Sequence, residues 1–384
     1  MSARSLTQNL AEHIVIVGGG AIGLASAWAL CEKGVRVTVL EAGKSGEGAL
    51  WASGGMLAAG FEACFELDPA HPLADAYAQF LSQSLRLWRD WAPVLQVLSG
   101  PALGEDFQGS VTPAFTPAEE DRIDRAEALA KRFGVQAARV SGDELAHLEP
   151  ALAKARGALI FSHDGQLDNR ALGGVLSDAV RSRGGEVVEQ RRVAALDRVA
   201  GQVRGVVLET GERLAADAVI LATGAERFAD MPAFAQMTPV KGQMIRFDAS
   251  GLATPKRVVR GLSIYLAAKS GGRLIAGASS EPGEWALETD PDTLERLNSA
   301  ACAAMPTLAG RPVVESWAGL RPCSSDAMPI IGEAESGLYL ALGAYRNGVL
   351  TAPGMAELLL QALGAHPTTD LAHAFSPARL GLKA

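Results

Sequence analysis

Charged residues interrupt every long hydrophobic segment of this chain, so no stretch approaches the roughly 20 consecutive apolar residues that a membrane-crossing helix needs. No secretory leader is expected either, because the first twelve residues are mixed polar and the apolar run from Ile14 to Val17 stops at glycines. A cytoplasmic protein with no membrane association is the expectation. Cysteine is scarce. The four present (Cys31, Cys64, Cys302, Cys323) show neither CxxC spacing nor a nearby histidine cluster, which speaks for reduced thiols and against zinc. Basic charge is in deficit: 35 lysines and arginines against 43 acids leave a net charge of -8, without the basic stripe that a nucleic-acid partner demands. The six histidines are scattered and carry no Ser-His-Asp or metal spacing, so hydrolase chemistry has little support.

Apolar residues are plentiful instead. At 384 residues and 48% hydrophobic, the chain can bury a large core without disulfides or metals, as one or two intimately joined domains. A strand at about 13 to 18, a helix at 21 to 33 and a strand at 35 to 40 open it. Residues 43 to 65 have no clear period, whereas 71 to 98 carry Leu73, Tyr77, Phe80, Leu81, Leu85 and Trp88 at helical spacing. Thr116, Pro117 and a run of acids start a helix that Gly134 stops. After a helix at 170 to 183, short strands near 186, 192 and 203 and the run ending at Gly224 are expected as sheet elements of the first domain. Residues 240 to 278 predict consecutive antiparallel strands. Next come a helix from Pro291 capped by Asp290, a strand at about 312 to 319, and a final strand followed by a helix at 348 to 363. The fold class is α/β with an α+β part, the chain crossing between two parts more than once.

The segment HIVIVGGGAIG places Gly18, Gly20 and Gly23 as GxGxxG between a strand and a helix. The first glycine serves the tight turn, the second close approach to a pyrophosphate, and the third helix packing on the strand. Phosphates then meet the positive end of the helix. Glu41 ends the second strand, where an acid accepts hydrogen bonds from an adenosine ribose and disfavours a 2'-phosphate. By itself the fingerprint does not separate NAD from FAD.

Together with WASGGMLAAGFE, WAGLRP followed by DAMPIIG, and GAYRNGVLTAP, the fingerprint resembles the glycine oxidases of thiazole biosynthesis, in the D-amino acid oxidase and sarcosine oxidase superfamily. The resemblance spans the whole chain. It implies a Rossmann-type FAD-binding domain (1-84, 152-228 and 318-384) interleaved with an antiparallel-sheet substrate domain (85-151 and 229-317), and non-covalent FAD. Carried over by motif, Ala21 and Ile22 lie in the phosphate turn, Glu41 and Ala42 at the ribose, and Ala49, Leu50, Gly54, Gly55 and Met56 along the pyrophosphate and flavin. Val193 matches a position whose backbone meets the adenine. The loop Ala344, Tyr345, Arg346 and Asn347 precedes a helix whose first residues, Gly348, Val349 and Leu350, aim N-H groups at the flavin's pyrimidine ring, where reduction leaves negative charge.

Arg321 is costly to bury unless it meets an anion. From the residues alone, a substrate carboxylate and a structural acid are equally good partners for it, and Tyr265 equally well packs in a sheet. The resemblance assigns Arg321 and Tyr265 to the substrate carboxylate and places Arg346 nearby as a second substrate-site arginine. Ser263 and Ser280 stand where one bacterial relative carries histidine and methionine. Cys323 is read as an ordinary thiol. The implied reaction is oxidation of glycine or another small amino acid by hydride transfer to the flavin, with dioxygen as acceptor, by a homo-oligomer. The alternatives are a D-amino acid or sarcosine dehydrogenase passing electrons to a quinone, a flavin domain of tRNA modification, and a flavin-binding subunit without turnover.

Overall fold

A computed structural model describes residues 11–99, 103–226 and 237–382. Most of the mixed polar start, residues 1–10, and the expected domain changeover at 228/229 lie outside the described residues.

The opening strand, His13–Val17, is buried throughout, as its apolar, β-branched composition favours. It runs parallel between Arg36–Leu40 and Ala218–Leu221. The six-stranded sheet continues outward to Glu186–Val188 on one side, and to Leu338–Leu342 and Ile330–Glu335 on the other. Only that last strand, which the sequence pattern did not reveal, is antiparallel to its neighbour. Helices Ala21–Cys31, Asn169–Ser182, Ala74–Ser99 and Gly348–Ala362 pack together beside this sheet. Their shared core holds Trp88, Phe80 and Phe375.

Nine strands form the second sheet. Near one edge Met237–Asp248 pairs antiparallel along almost its whole length with Val313–Ser324 and, on its other side, with Arg273–Gly277 and the short strand Glu281–Pro282. Tyr265–Lys269 and Val258–Arg260 follow. One junction departs from the antiparallel expectation, since Val258–Arg260 lies parallel to Ser110–Ala114. Gly157–Phe161 and Ala138–Ser141 complete the sheet. Helix Pro291–Ala304 covers part of it through Leu297, Ala301 and Ala304.

The strands expected near 192 and 203 pair with each other and with Arg213–Ala215 in a three-stranded antiparallel sheet of their own. Residues 43 to 65 contain the short helices Ala49–Ala52 and Ala59–Phe61 and a π-helical turn, Glu62–Glu66, too brief to show a period. Arg321 sits within the strand Val313–Ser324 and not beyond its end, because pairing with Met237–Asp248 persists to Ser324. The changeovers expected at 84/85 and 317/318 thus fall inside a continuous helix and a continuous strand. Helix ends follow local chemistry. Thr116 and Glu119 form a capping box, Gly134 closes that helix at φ 65°, and the Asp290 carboxylate accepts from the Thr293 N-H.

Candidate active site

At the glycine turn the backbone tolerates no side chain at two of three positions. Gly18 has φ +111°, and a Cβ there would lie 2.4 Å from the Ala222 carbonyl oxygen; one at Gly23 would lie 1.9 Å from the Gly18 oxygen. Gly20 differs, for a Cβ would meet nothing within 4 Å. It caps the helix that begins at Ala21, and no side chain satisfies the N-H groups of that end. Ile22 is half-buried in this first turn. Glu41 accepts the Gly19 and Gly43 N-H groups, one on each carboxylate oxygen, both at 2.7 Å. Each oxygen keeps acceptor capacity for a hydroxyl. Ala42 is half-buried beside it. Val193 packs in the same cluster as Val17 and Leu40, at the ends of the first two strands. The open flank at Gly20, the uncapped helix and the poised carboxylate fit a pyrophosphate followed by a ribose.

Ala49 and Leu50 open the short helix Ala49–Ala52, which is pinned by side chains that the sequence motifs did not single out. Asn169 Nδ2 donates to the carbonyls of Leu50 (3.1 Å) and Trp51 (2.8 Å), and Trp317 Nε1 donates to that of Ala52 (3.0 Å). Arg170 lies 3.8 Å from the Trp51 ring centroid and 4.6 Å from that of Trp317, while gripping Glu315 through two hydrogen bonds. Gly55 has φ +65°, and a Cβ would come 2.3 Å from the Leu167 oxygen. At Gly54 a Cβ would sit 3.1 Å from both the Tyr265 hydroxyl and Met56 Cε. The segment expected along the flavin therefore lies directly against Tyr265.

The loop before the last long helix is unusual. Tyr345 holds φ +46°, a costly conformation for an aromatic residue and one that clusters at functional sites. Ala344 is buried beside it. Asn347 caps helix Gly348–Ala362 without a side-chain bond to it, its Nδ2 donating to Glu62 and, at 3.0 Å, to the Tyr77 hydroxyl. Gly348, Val349 and Leu350 form the first turn. Pro353 inside this helix has no N-H for the Val349 carbonyl. Trp88 Nε1 supplies the missing donor at 2.8 Å.

Arg321 extends over Gly242, where a Cβ would lie 2.2 Å from a guanidinium nitrogen. It donates to the carbonyls of Ser279 (3.1 Å) and Lys241 (3.4 Å). Burial lowers its pKa, with Tyr265 close enough to act against that effect, yet the group stays cationic. Among the described residues no carboxylate forms an ion pair with it. Tyr265 is buried, donates to Met244 Sδ at 3.1 Å, and has its phenol pushed up to about 12 by burial.

Arg346 is placed otherwise. Its guanidinium donates to Glu62 at 2.9 Å and to Glu66 at 2.7 Å, so the expected second substrate-site arginine already has two carboxylate partners. Glu62 also accepts from Arg260 at 2.7 Å. Burial pushes the Glu62 carboxyl up, but Arg346 and Arg260 outweigh it and hold the group below its usual range. Neither Glu62, which ends the segment WASGGMLAAGFE, nor Arg260 was given a role from the sequence. Ser263 and Ser280 are exposed. Cys323 is half-buried, with its thiol raised chiefly by burial.

A family model described as FAD dependent oxidoreductase matches residues 13–362. The bifunctional protein ThiO/ThiG of Synechocystis is 33% identical over 380 residues, covering 96% of this chain and 54% of that protein. The chain thus spans about half the length of such relatives. A glycine oxidase of Geobacillus kaustophilus is 32% identical over 348 residues, 88% of this chain and 89% of its own. The crystal structure of glycine oxidase from that organism has a TM-score of 0.84 at 30% identity, covering 95% of this chain and 98% of that one.

Proposed function

Because the chain belongs to the family of FAD-dependent oxidoreductases, we propose that it oxidises small amino acids, glycine foremost, to the imine with dioxygen as acceptor. The observation that carries this reading is Arg321: a half-buried guanidinium beside Tyr265 with two carbonyl partners and, among the described residues, no carboxylate ion pair. A carboxylate bound bidentately there would supply the missing counter-charge.

Glu41 and the first turn at Ala21 would hold the ribose and pyrophosphate of FAD, and the segment from Ala49 to Met56 and the turn at Gly348 would hold the rest. When bound, FAD takes a hydride from the substrate and returns the electrons to dioxygen as peroxide. The chain's own contribution is positioning. Arg321 and Tyr265 fix the substrate carboxylate, and Gly54, having no side chain, lets the segment approach Tyr265 closely. Substrate entering with a neutral amine needs no side-chain base, and water hydrolyses the released imine to a 2-oxo acid and ammonia. Glycine is favoured by the glycine oxidase relatives at about this chain's full length. The reading extends to a cytoplasmic homo-oligomer that supplies thiazole biosynthesis.

Peroxide release by the purified, FAD-loaded protein across glycine, sarcosine, D-alanine and D-proline tests it. Turnover of glycine with peroxide is expected. Absence of peroxide with every member of the panel would overturn the reading.

A further inference from the structure

Arg321 and Arg260 lie close to Tyr265, a third arginine, Arg346, shares a carboxylate with Arg260, and the three are not equivalent. Arg321 has no carboxylate partner among the described residues, whereas Arg346 and Arg260 are both held by the one buried carboxylate of Glu62. Arg260 stands opposite Tyr265 in the sheet. Its guanidinium lies 5.7 Å from the Tyr265 ring centroid and 4.1 Å from that of Phe61, and it donates to Met56 Sδ at 3.4 Å. It therefore belongs to the same wall as the residues expected to face substrate. Its Nε is buried with no hydrogen-bond partner.

We propose that Glu62 is a specificity-determining residue: by occupying Arg260 and Arg346 together it confines the site to substrates with one anionic group, and its loss would open a second anion subsite at Arg260. The proposal rests on the reading of Arg321 as the carboxylate anchor. A substrate carrying two carboxylates would place the first on Arg321 and bring the second toward arginines already paired with Glu62, whose charge repels it. With a neutral residue at 62, Arg260 would lose its only ion-pair partner among the described residues and present free N-H groups on a desolvated wall, the arrangement that binds carboxylate best. Asp164 does not substitute for Glu62. Its oxygens already accept from the Gly60 and Phe61 N-H groups and the Ser110 hydroxyl.

The test uses two probes of nearly the same shape, iminodiacetate and its monoamide, which differ in the second negative charge. Their dissociation constants are measured on the FAD-loaded protein by perturbation of the flavin spectrum, with glycine as reference. Wild type should bind the monoamide about tenfold or more tightly than iminodiacetate, and Glu62→Gln should shift that ratio about tenfold or more toward iminodiacetate. An unchanged ratio overturns the proposal. Removing one member of a buried ion cluster can unfold a protein, so Arg260→Met provides a second route. It leaves Glu62 ionised with one cation fewer and should widen the wild-type ratio several-fold; an unchanged ratio there overturns the proposal equally. A wild type that binds glycine while neither variant moves the ratio removes this proposal alone. A wild type that binds neither glycine nor the monoamide removes the reading of Arg321 as well.

Discussion

Arg321 is the residue on which substrate affinity should turn. Arg321→Ala is expected to lower kcat/KM for glycine by the equivalent of ~2 to 5 kcal/mol, as for loss of one partner from a buried charge pair; steady-state kinetics showing no change would contradict the role. Gly242→Ala reaches the same point by crowding, since its Cβ would lie 2.2 Å from the guanidinium. It should raise KM while FAD stays bound. Tyr265 makes a prediction in pH. Its folded value of about 12 lies above the ordinary value of 10.0, so its contribution to stability is complete below the unfolded value and is lost as pH rises through the folded one. The pH-rate profile should accordingly show no Tyr265 limb below pH ~11, and a limb there that vanishes in Tyr265→Phe would contradict it. The glycines and Glu41 stood out as candidates because their spacing along strand, turn and helix carries them, whereas Tyr265 and Arg321 were proposed only through the resemblance. Glu62 was not legible, because its partners Arg260 and Arg346 are 198 and 284 residues away and its own turn is too short to show a period.

Elements meet at the site through compensations that can be tested in pairs. The Val349 carbonyl, left without a helical donor by Pro353, depends on Trp88. Trp88→Phe should cost about 1 to 3 kcal/mol in denaturant unfolding, as expected for a buried acceptor left unpaired. The same change should cost clearly less in a Pro353→Ala background, where residue 353 regains its N-H. Additive costs would refute the compensation. Asp164 ties the loop after Gly157–Phe161 to the turn bearing Glu62. Burial raises its carboxyl from 3.8 to about 6 against its hydrogen bonds to Ser110, Gly60 and Phe61, corresponding to about 3 kcal/mol. Because the folded value is the higher, this contribution is complete below about pH 4 and is lost as pH rises through about 6. Relative to Asp164→Asn, wild type should lose stability over that window; parallel pH-stability curves would contradict the assignment. At this scale the caps at Thr116, Asp290 and Gly134 were readable because capping is local chemistry. Strand membership was not, since which sheet receives residues 193 to 208 depends on distant pairing.

Across the whole molecule, the chain visits the six-stranded sheet, crosses to the nine-stranded one, and repeats the excursion before returning at Ile330. That interleaving sets the Ala49–Met56 segment between the glycine turn and the strands bearing Tyr265 and Arg321. The Arg170 sandwich between Trp51 and Trp317 joins the two sides. Repeated crossing was legible in the alternation of strand patterns. The Arg170 sandwich was not, because its members come from three separate stretches of chain. The most direct measurement is anaerobic addition of glycine to the FAD-loaded protein, followed by readmission of air. Bleaching of the oxidised flavin spectrum, then its recovery with release of peroxide, is the predicted result; a spectrum that glycine leaves oxidised would contradict the account at its centre.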